Sequence, residues 1–362
     1  MSAAPPGPAA DSRPSMKITV ETNSGVFDFD CGAADKLLYV GLARGLTLPY
    51  ECATGTCGTC RARIMQGAAD VDWGEAPGFA KLKRDKGDVL MCQTRPSRDC
   101  VLRVAAKVAA RPDCDTLPQH RTARIDVVRK LTPDVIHFEL ALSQPMRFEA
   151  GQFVVLEVAG VEGGRAYSMV NFGRDVDRLV FVIKQKAGGG FSDWLFRDDA
   201  AGRTANVFGP LGRATFHPEE RKNILCIAGG SGIAGMLSII ERAAREGYFL
   251  NHTGHVFFGV RTLDDGFYLR ELCDYAGQAQ GRLEVTLALS HAPPPAAAHP
   301  EFPHIRLVEG MVADAARQAM SGRCDNMVGF VAGPPIMVDH ALRMLIREAR
   351  LPPQFVRYDK FS

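Results

Sequence analysis

Four cysteines constrain this chain more than any other feature. Cys52, Cys57 and Cys60 lie in the run Pro-Tyr-Glu-Cys-Ala-Thr-Gly-Thr-Cys-Gly-Thr-Cys, a Cys-x4-Cys-x2-Cys spacing, and Cys92 follows from a separate segment. Three thiolates from one tight loop and a fourth from elsewhere can wrap two bridged irons. Such wrapping needs backbone freedom, which Gly55 and Gly58 supply, and amide groups turned toward sulfur, which a loop of Gly and Thr exposes. A structural zinc site is the competing assignment, but it more usually presents two short Cys-x2-Cys pairs. Cys31, Cys100, Cys114, Cys226, Cys273 and Cys324 stand alone, and lone cysteines are more often small core residues than ligands.

With these residues in place, residues 16–108 resemble the plant-type ferredoxin domain, which implies a [2Fe-2S] cluster held by Cys52, Cys57, Cys60 and Cys92. The rest of the chain has to explain where the electrons come from. At 362 residues there is room for two or three domains, each with its own core. Composition divides the chain accordingly. Residues 1–15, rich in Ala, Pro and Ser, read as a flexible tail and not as a secretory signal. Residues 16–109 carry short alternating runs and one helix candidate at 35–44. A polar connector occupies 110–119. Short β-branched runs separated by Gly and Pro over 120–218 predict a small antiparallel barrel. From 219 to 362 strands alternate with helical stretches, the pattern of a parallel sheet covered on both faces.

Charge excludes some roles. Lys plus Arg number 43 against 41 Asp plus Glu, so no global field draws the chain to nucleic acid or anionic lipid, and the short basic run at 81–86 reads as a solvated loop. No stretch of about 18 apolar residues predicts a membrane span. Ten cysteines without a secretory signal fit a reducing cytoplasm.

Two motifs fall in the barrel region. Arg165-Ala-Tyr167-Ser168-Met-Val-Asn171 comes first; Lys184-Gln-Lys-Ala-Gly-Gly189-Gly190-Phe-Ser192 follows, with three glycines ahead of a short helical stretch. Glycines before a helix place backbone N–H groups at a diphosphate. In this order, after Ala150-Gly151-Gln152-Phe153 and before Gly209-Pro210-Leu211-Gly212, they resemble the flavin domain of the ferredoxin reductase superfamily. The resemblance implies FAD over FMN. It also implies that Arg165 pairs with the pyrophosphate, that the Tyr167 ring lies on the isoalloxazine, and that Ser168 bonds near N5. Asn171, Lys184, Gly189, Gly190 and Ser192 complete the expected FAD contacts.

Gly230-Ser231-Gly232-Ile-Ala-Gly235 follows an apolar strand and fits G-x-G-x-x-G, the dinucleotide fingerprint. That fingerprint wants an acid closing the next strand, and this one ends in Arg261-Thr262. The alternative is the reductase superfamily's own glycine loop, which this run resembles, with Gly235 where proline is common. Ala332-Gly333-Pro334-Pro335 resembles the superfamily's turn beneath the nicotinamide, with Ala332 in place of its cysteine. Gly230, Ser231, Gly232, Arg261, Gly333 and Pro334 are therefore the candidate nucleotide contacts. Asp264 and Asp265 would repel a 2′-phosphate, so NADH is expected over NADPH. Phe361 is a candidate cover for the flavin.

The three-part order is similar to the reductase components of bacterial multicomponent oxygenases. That resemblance implies a β-grasp ferredoxin domain, an antiparallel FAD barrel and an α/β nucleotide domain. It also implies a monomer that passes electrons from NADH through FAD and the cluster to an oxygenase of aromatic or hydrocarbon catabolism, directly or through a separate ferredoxin. A reductase of the same build serving another acceptor, such as a sugar-deoxygenating dehydratase, is the alternative. A non-enzymatic metal-binding module is the third reading, and it predicts no flavin.

Overall fold

The structure is a computed structural model that describes residues 15–112, 114–197 and 200–360. It divides between Leu117 and Pro118 into two compact units.

The first unit holds β1 (Ser15–Thr22), β2 (Val26–Gly32), α1 (Leu37–Ala43), β3 (Arg61–Gln66), β4 (Ala69–Val71), β5 (Asp88–Leu90), β6 (Thr94–Pro96) and β7 (Cys100–Val104). Alternation makes β1 a half-buried strand: Met16, Ile18 and Val20 face inward while Lys17 and Ser15 face water. The five-stranded sheet runs β2-β1-β7-β3-β5, with β1 and β7 parallel and the other pairs antiparallel. With α1 contributing Leu37, Leu38, Tyr39 and Leu42 to the core, this is the expected β-grasp arrangement. The helix is shorter than the 35–44 expectation because Lys36 is extended and serves as its N-cap.

The second unit begins with β8 (Gln119–Thr132), β9 (Val135–Met146), β10 (Phe153–Val158), β11 (Arg165–Ser168), β12 (Val176–Lys184), the short helix α2 (Gly190–Leu195) and β13 (Thr204–Leu211). Their antiparallel sheet is ordered β11-β10-β13-β8-β9-β12. The chain leaving β11 bends back to β12, where Val170 N–H donates to the Val180 carbonyl at 2.8 Å, so the two edges of the sheet approach and the barrel closes. Inside, Phe138 stacks on Phe181 at 5.0 Å between ring centroids, and Phe191 of α2 packs against Phe138 at 6.4 Å.

The same unit continues with β14 (Asn223–Gly229), α3 (Ile233–Arg245), β15 (Gly254–Val260), α4 (Leu269–Gln278), β16 (Leu283–Leu289), β17 (Ile305–Glu309), α5 (Val312–Met320), β18 (Met327–Gly333), α6 (Pro335–Arg343) and β19 (Val356–Lys360). All six strands are parallel, in the order β17-β16-β15-β14-β18-β19. Burial on both faces explains the near-continuous apolar sequences of β14 and β18. From β14 the chain builds outward one way to β17, then returns to place β18 on the opposite side of β14. The strand order therefore reverses between β14 and β18, the kind of place where open parallel sheets bind ligands, beyond the carboxyl ends of the strands.

One core spans barrel and parallel sheet, and α3 lies at their junction. Arg242, almost fully buried, is bonded to Glu149, to Glu246 at 3.0 Å and to the Phe216 carbonyl at 3.2 Å. Beside it Glu241 accepts from the Phe172 amide at 2.6 Å, and Arg245 donates to the Phe172 carbonyl at 2.8 Å. A buried guanidinium is tolerable only when its donors are met by charge and carbonyl, as they are here.

Candidate functional site

In the first unit the four cysteine sulfurs arrive as two pairs. Cys52 and Cys57 lie 3.2 Å apart and half-exposed; Cys60 and Cys92 lie 3.2 Å apart and buried. Two pairs of thiolates suit two irons.

The backbone is shaped to serve those sulfurs. Thr54 and Cys57 amides donate to Cys52 Sγ, and the Thr59 amide to Cys57 Sγ, each at 3.4 Å. This curl requires left-handed backbone at Gly55 (φ 95°) and Gly58 (φ 86°), which only glycine adopts without strain. Behind the loop, the Gly78 amide donates to the Gly55 carbonyl at 2.9 Å, and a Cβ on Gly78 would sit 2.7 Å from that oxygen. Helix α1 holds the loop through the buried Tyr39 hydroxyl, which donates to the Ala53 carbonyl at 3.0 Å. Cys92 sits on a 3-10 turn, Met91–Gln93, clamped by the Met91 amide on the Cys60 carbonyl at 3.0 Å.

The thiols do not titrate alike. The hydrogen bond from Cys57 draws the Cys52 thiol down to about 4 against the opposing effect of burial, helped by the Thr56 side chain and by the Thr54 and Cys57 amides. Cys57, on the donating side, is pushed up. Cys60 is pushed up by its bond to Cys92 and by burial. In each pair the proton stays on one sulfur and is shared toward the other. Of the isolated cysteines, Cys31, Cys100, Cys226 and Cys273 are buried, Cys324 is half-buried and Cys114 is exposed.

In the second unit β11 pairs with β10 so that Tyr167 lies opposite Val154 and Ser168 opposite Phe153. The Tyr167 ring rests on Phe191 at 5.2 Å, and burial pushes its phenol upward, so it stays neutral. Phe191 thereby ties the flavin-type motif to the glycine loop, a role that its place behind Gly190 in the sequence did not reveal. Ser168 is buried. Arg165 reaches the Glu162 and Gly164 carbonyls at 3.3 and 3.0 Å, with donors to spare.

Other expected ligands act on the protein itself. The Asn171 amide is spent on β12, donating to the Arg178 carbonyl at 3.0 Å and accepting from the Val180 amide at 2.9 Å, which fastens the barrel seam. Ser192 is turned inward, accepting from the Lys186 amide at 3.1 Å and reaching the Lys186 carbonyl at 3.2 Å. It closes the 186–192 loop and leaves the first-turn amides of α2, after Gly189, without intrahelical partners. Lys184 pairs with Asp134 at 3.1 Å.

The two other glycine motifs, a hundred residues apart in sequence, meet at the switch point. Gly232 lies so close to β18 that a Cβ there would be 2.3 Å from the Ala332 carbonyl oxygen, and a Cβ on Gly333 would be 2.6 Å from Met337 and 3.1 Å from the Gly229 amide. Gly230 is left-handed at φ 54° with open space before it, and residues 230–232 form a single 3-10 turn leading into α3. Gly235 stands in the first turn of α3, facing the barrel: a Cβ there would be 3.7 Å from both the Ser168 Cβ and the Gly151 carbonyl. Pro334 serves as N-cap of α6. Arg261, just past β15, is held by Asp134 at 3.1 Å and Asp265 at 2.9 Å, both carboxylates raising its already high pKa. Lys360, the last described residue, lies opposite Gly333 on β18; Phe361 falls outside the described residues.

Family comparisons match this division. Residues 21–97 match the 2Fe-2S iron-sulfur cluster binding domain, 122–216 the oxidoreductase FAD-binding domain, and 226–343 the oxidoreductase NAD-binding domain. The ferredoxin–NAD(+) reductase component of the alkene monooxygenase system of Xanthobacter autotrophicus is 36% identical over 337 residues, 92% of this chain and 97% of that one. This chain belongs to the reductase components of multicomponent oxygenases. The phenol hydroxylase P5 protein of Acinetobacter pittii is 30% identical, over 96% of this chain and 94% of its own. Among solved structures, the ferredoxin reductase in carbazole 1,9a-dioxygenase superposes with a TM-score of 0.80 at 28% identity, covering 97% of this chain and all of that one. The reductase is thus an oxidoreductase of the ferredoxin–NAD(P)+ type with cluster-, FAD- and NAD-binding domains. No helix among its described residues is long and apolar enough to cross a membrane.

Proposed function

We propose that this reductase takes hydride from NADH onto FAD and delivers electrons singly, through a [2Fe-2S] cluster on Cys52, Cys57, Cys60 and Cys92, to an oxygenase component. One observation carries the reading. The turn that follows the Gly230–Gly232 loop packs against Ser168 of the flavin-type motif, with only van der Waals distance to spare at Gly235. A nucleotide on that loop and a flavin on that motif would lie side by side, as hydride transfer requires.

Bound FAD supplies the conversion between a two-electron donor and a one-electron acceptor. The chain's own residues then do the placing. Arg165 has guanidinium N–H groups free for a diphosphate oxygen, and the α2 amides beyond Gly189 and Gly190 offer donors to the same group. Tyr167, backed by Phe191, gives a neutral ring wall for the isoalloxazine. Ser168, buried at the end of β11, is the residue of that motif whose hydroxyl would bond a polar atom of the ring. Lys184, Asn171 and Ser192 shape the pocket through their protein contacts. Gly230, Ser231 and Gly232 would present backbone to the nucleotide diphosphate, with Gly333 and Pro334 facing them across the switch point. Ala332 contributes only backbone, so no thiol assists there. Phe361, one residue beyond Lys360, is the candidate to cover the flavin.

In the cluster loop three backbone amides are aimed at the sulfurs of Cys52 and Cys57, where they would stabilise charge on bound thiolates. The half-exposed Cys52–Cys57 side is the face an oxygenase partner would approach. The relatives' printed roles, in alkene and phenol oxidation, support a hydrocarbon or aromatic oxygenase as that partner.

The absorbance spectrum of the purified protein tests the reading. A flavin band with broad iron–sulfur shoulders is expected, and both should bleach when NADH is added anaerobically. A colourless protein, or a flavin that NADH leaves oxidised, would sink it.

A further inference from the structure

The carboxyl end of the second strand of an open parallel sheet is where an adenosine ribose rests when the diphosphate sits at the end of the first. Here the first strand is β14, the second is β15, and the residue just past β15 is Arg261. A guanidinium at that place would ordinarily welcome a 2′-phosphate. In this chain it is already engaged, and half of the engagement comes from another domain. Arg261 Nη2 lies 3.1 Å from Asp134 Oδ2 and 2.9 Å from Asp265 Oδ1.

We infer that Asp134, in the turn between β8 and β9 of the barrel, is a determinant of NADH over NADPH specificity. The inference rests on the proposed nucleotide site and names a residue that sets its selectivity. Both carboxylates are fixed. Asp265 accepts from the Thr262 amide at 3.0 Å and its hydroxyl at 2.9 Å, within a capping box. Asp134 is held by Lys184 Nζ at 3.1 Å and by the Thr132 hydroxyl at 3.2 Å. The two cations, Arg261 and Lys184, are thus matched by two carboxylates, and Asp264 adds a further negative charge at the corner.

A 2′-phosphate brings close to two negative charges and needs an uncommitted cation. A ribose diol brings hydroxyl donors, which carboxylates accept. The corner suits the diol and opposes the phosphate. Stability does not explain the Arg261–Asp134 pair: with side chains 50% and 30% exposed, an ion pair of this kind adds little to the fold. Its effect falls on whatever charge arrives.

The test measures flavin reduction by NADH and by NADPH in the full holoenzyme. Reduction of the wild type by NADH reads the proposed function itself; the ratio of the two kcat/KM values reads Asp134. Asp134→Asn should raise the NADPH to NADH ratio about tenfold, through KM for NADPH, by releasing Arg261. Both rates are normalised to bound flavin, because Asp134 also holds Lys184, and kcat/KM for NADH should fall by less than kcat/KM for NADPH rises. Asp134→Glu should keep the wild-type ratio, and Arg261→Ala added to Asp134→Asn should remove the gain. An unchanged ratio in Asp134→Asn, an equal loss with both nucleotides, or a wild type that prefers NADPH would overturn the inference.

Discussion

Three of the four sulfurs in the cluster loop come from residues 52–60, and the fourth is clamped to them by one hydrogen bond from Met91. The flavin–nucleotide unit draws on residues as far apart as Gly151 and Gly235, or Gly232 and Ala332, and brings them together only through topology. The first site is a property of a loop; the second is a property of a fold. Sequence therefore carries the first almost whole and gives only fragments of the second, and the two should break differently under mutation.

The sharpest contrast is expected at Cys52. Cys52→Ser removes one thiolate from a set in which each sulfur has one near partner. Reduction of cytochrome c by NADH should fall to background, while flavin bleaching by NADH in a stopped-flow trace keeps its rate. Loss of both would mean that the units do not act as separate electron stations. Gly232→Ala attacks the other site: its Cβ would fall 2.3 Å from a backbone oxygen of β18, so the loop must shift. Overpacking of this kind costs about 1–3 kcal/mol, which, if it all falls on the nucleotide, is roughly five- to 150-fold in kcat/KM for NADH. FAD content should be unchanged. Wild-type kinetics in this variant would mean the loop does not meet the nucleotide.

The fold was legible because its periodicities are strong. Met16, Ile18 and Val20 alternate as a strand with one wet face must, and β14 is apolar throughout because helices cover both its faces. The same holds for Cys52, Cys57, Cys60 and Cys92, whose spacing already contains the geometry. Side-chain direction was not legible. Asn171 and Ser192 belong to motifs that suggest ligand contacts, yet both amide ends of Asn171 bond the β12 backbone and the hydroxyl of Ser192 bonds backbone within its own loop. Nothing in the order of residues says whether a polar side chain near a site points at the ligand or at the wall that shapes it. Contacts across the second unit were equally hidden. Asp134 meets Arg261 across 127 positions, and His137 meets Tyr268 across 131, in a buried bond of 2.7 Å. Glu139 faces the other side of the ring, 3.1 Å from His137 Nε2. Such pairs require knowing which strand end faces which helix.

Asn171→Ala asks whether the barrel seam is held as the hydrogen bonds indicate. Two bonds to the β12 backbone disappear and the Val180 amide loses its acceptor, a cost of about 1–3 kcal/mol. Thermal unfolding should move down by a few degrees, on the order of 2–4 °C per kcal/mol for a unit of this size. FAD at saturating concentration should still bind. Loss of flavin without a change in unfolding would return Asn171 to the cofactor.

The smallest effect belongs to the first unit and depends on pH. Asp88 is buried on β5; burial alone would raise its pKa, but the Arg63 bond at 2.8 Å, the Lys83 amide at 3.1 Å and the charges of Arg63 and Arg61 bring it below the ordinary carboxylate value. A carboxylate depressed on folding stabilises the native state above its unfolded pKa, about 3.9, and that contribution is lost as pH falls through the lower folded value. Asp88→Asn removes the titration and keeps the shape. It should cost about 1 kcal/mol at neutral pH, and the gap from wild type should close as pH drops below 4, read by denaturant melts that follow the iron–sulfur absorbance. Because β5 leads directly into the Met91–Gln93 turn that presents Cys92, cluster bleaching in acid should track the same curve. A gap that stays constant down to pH 3 would mean the ion pair does not steady the fourth sulfur, and the cluster site would then be the property of its loop alone.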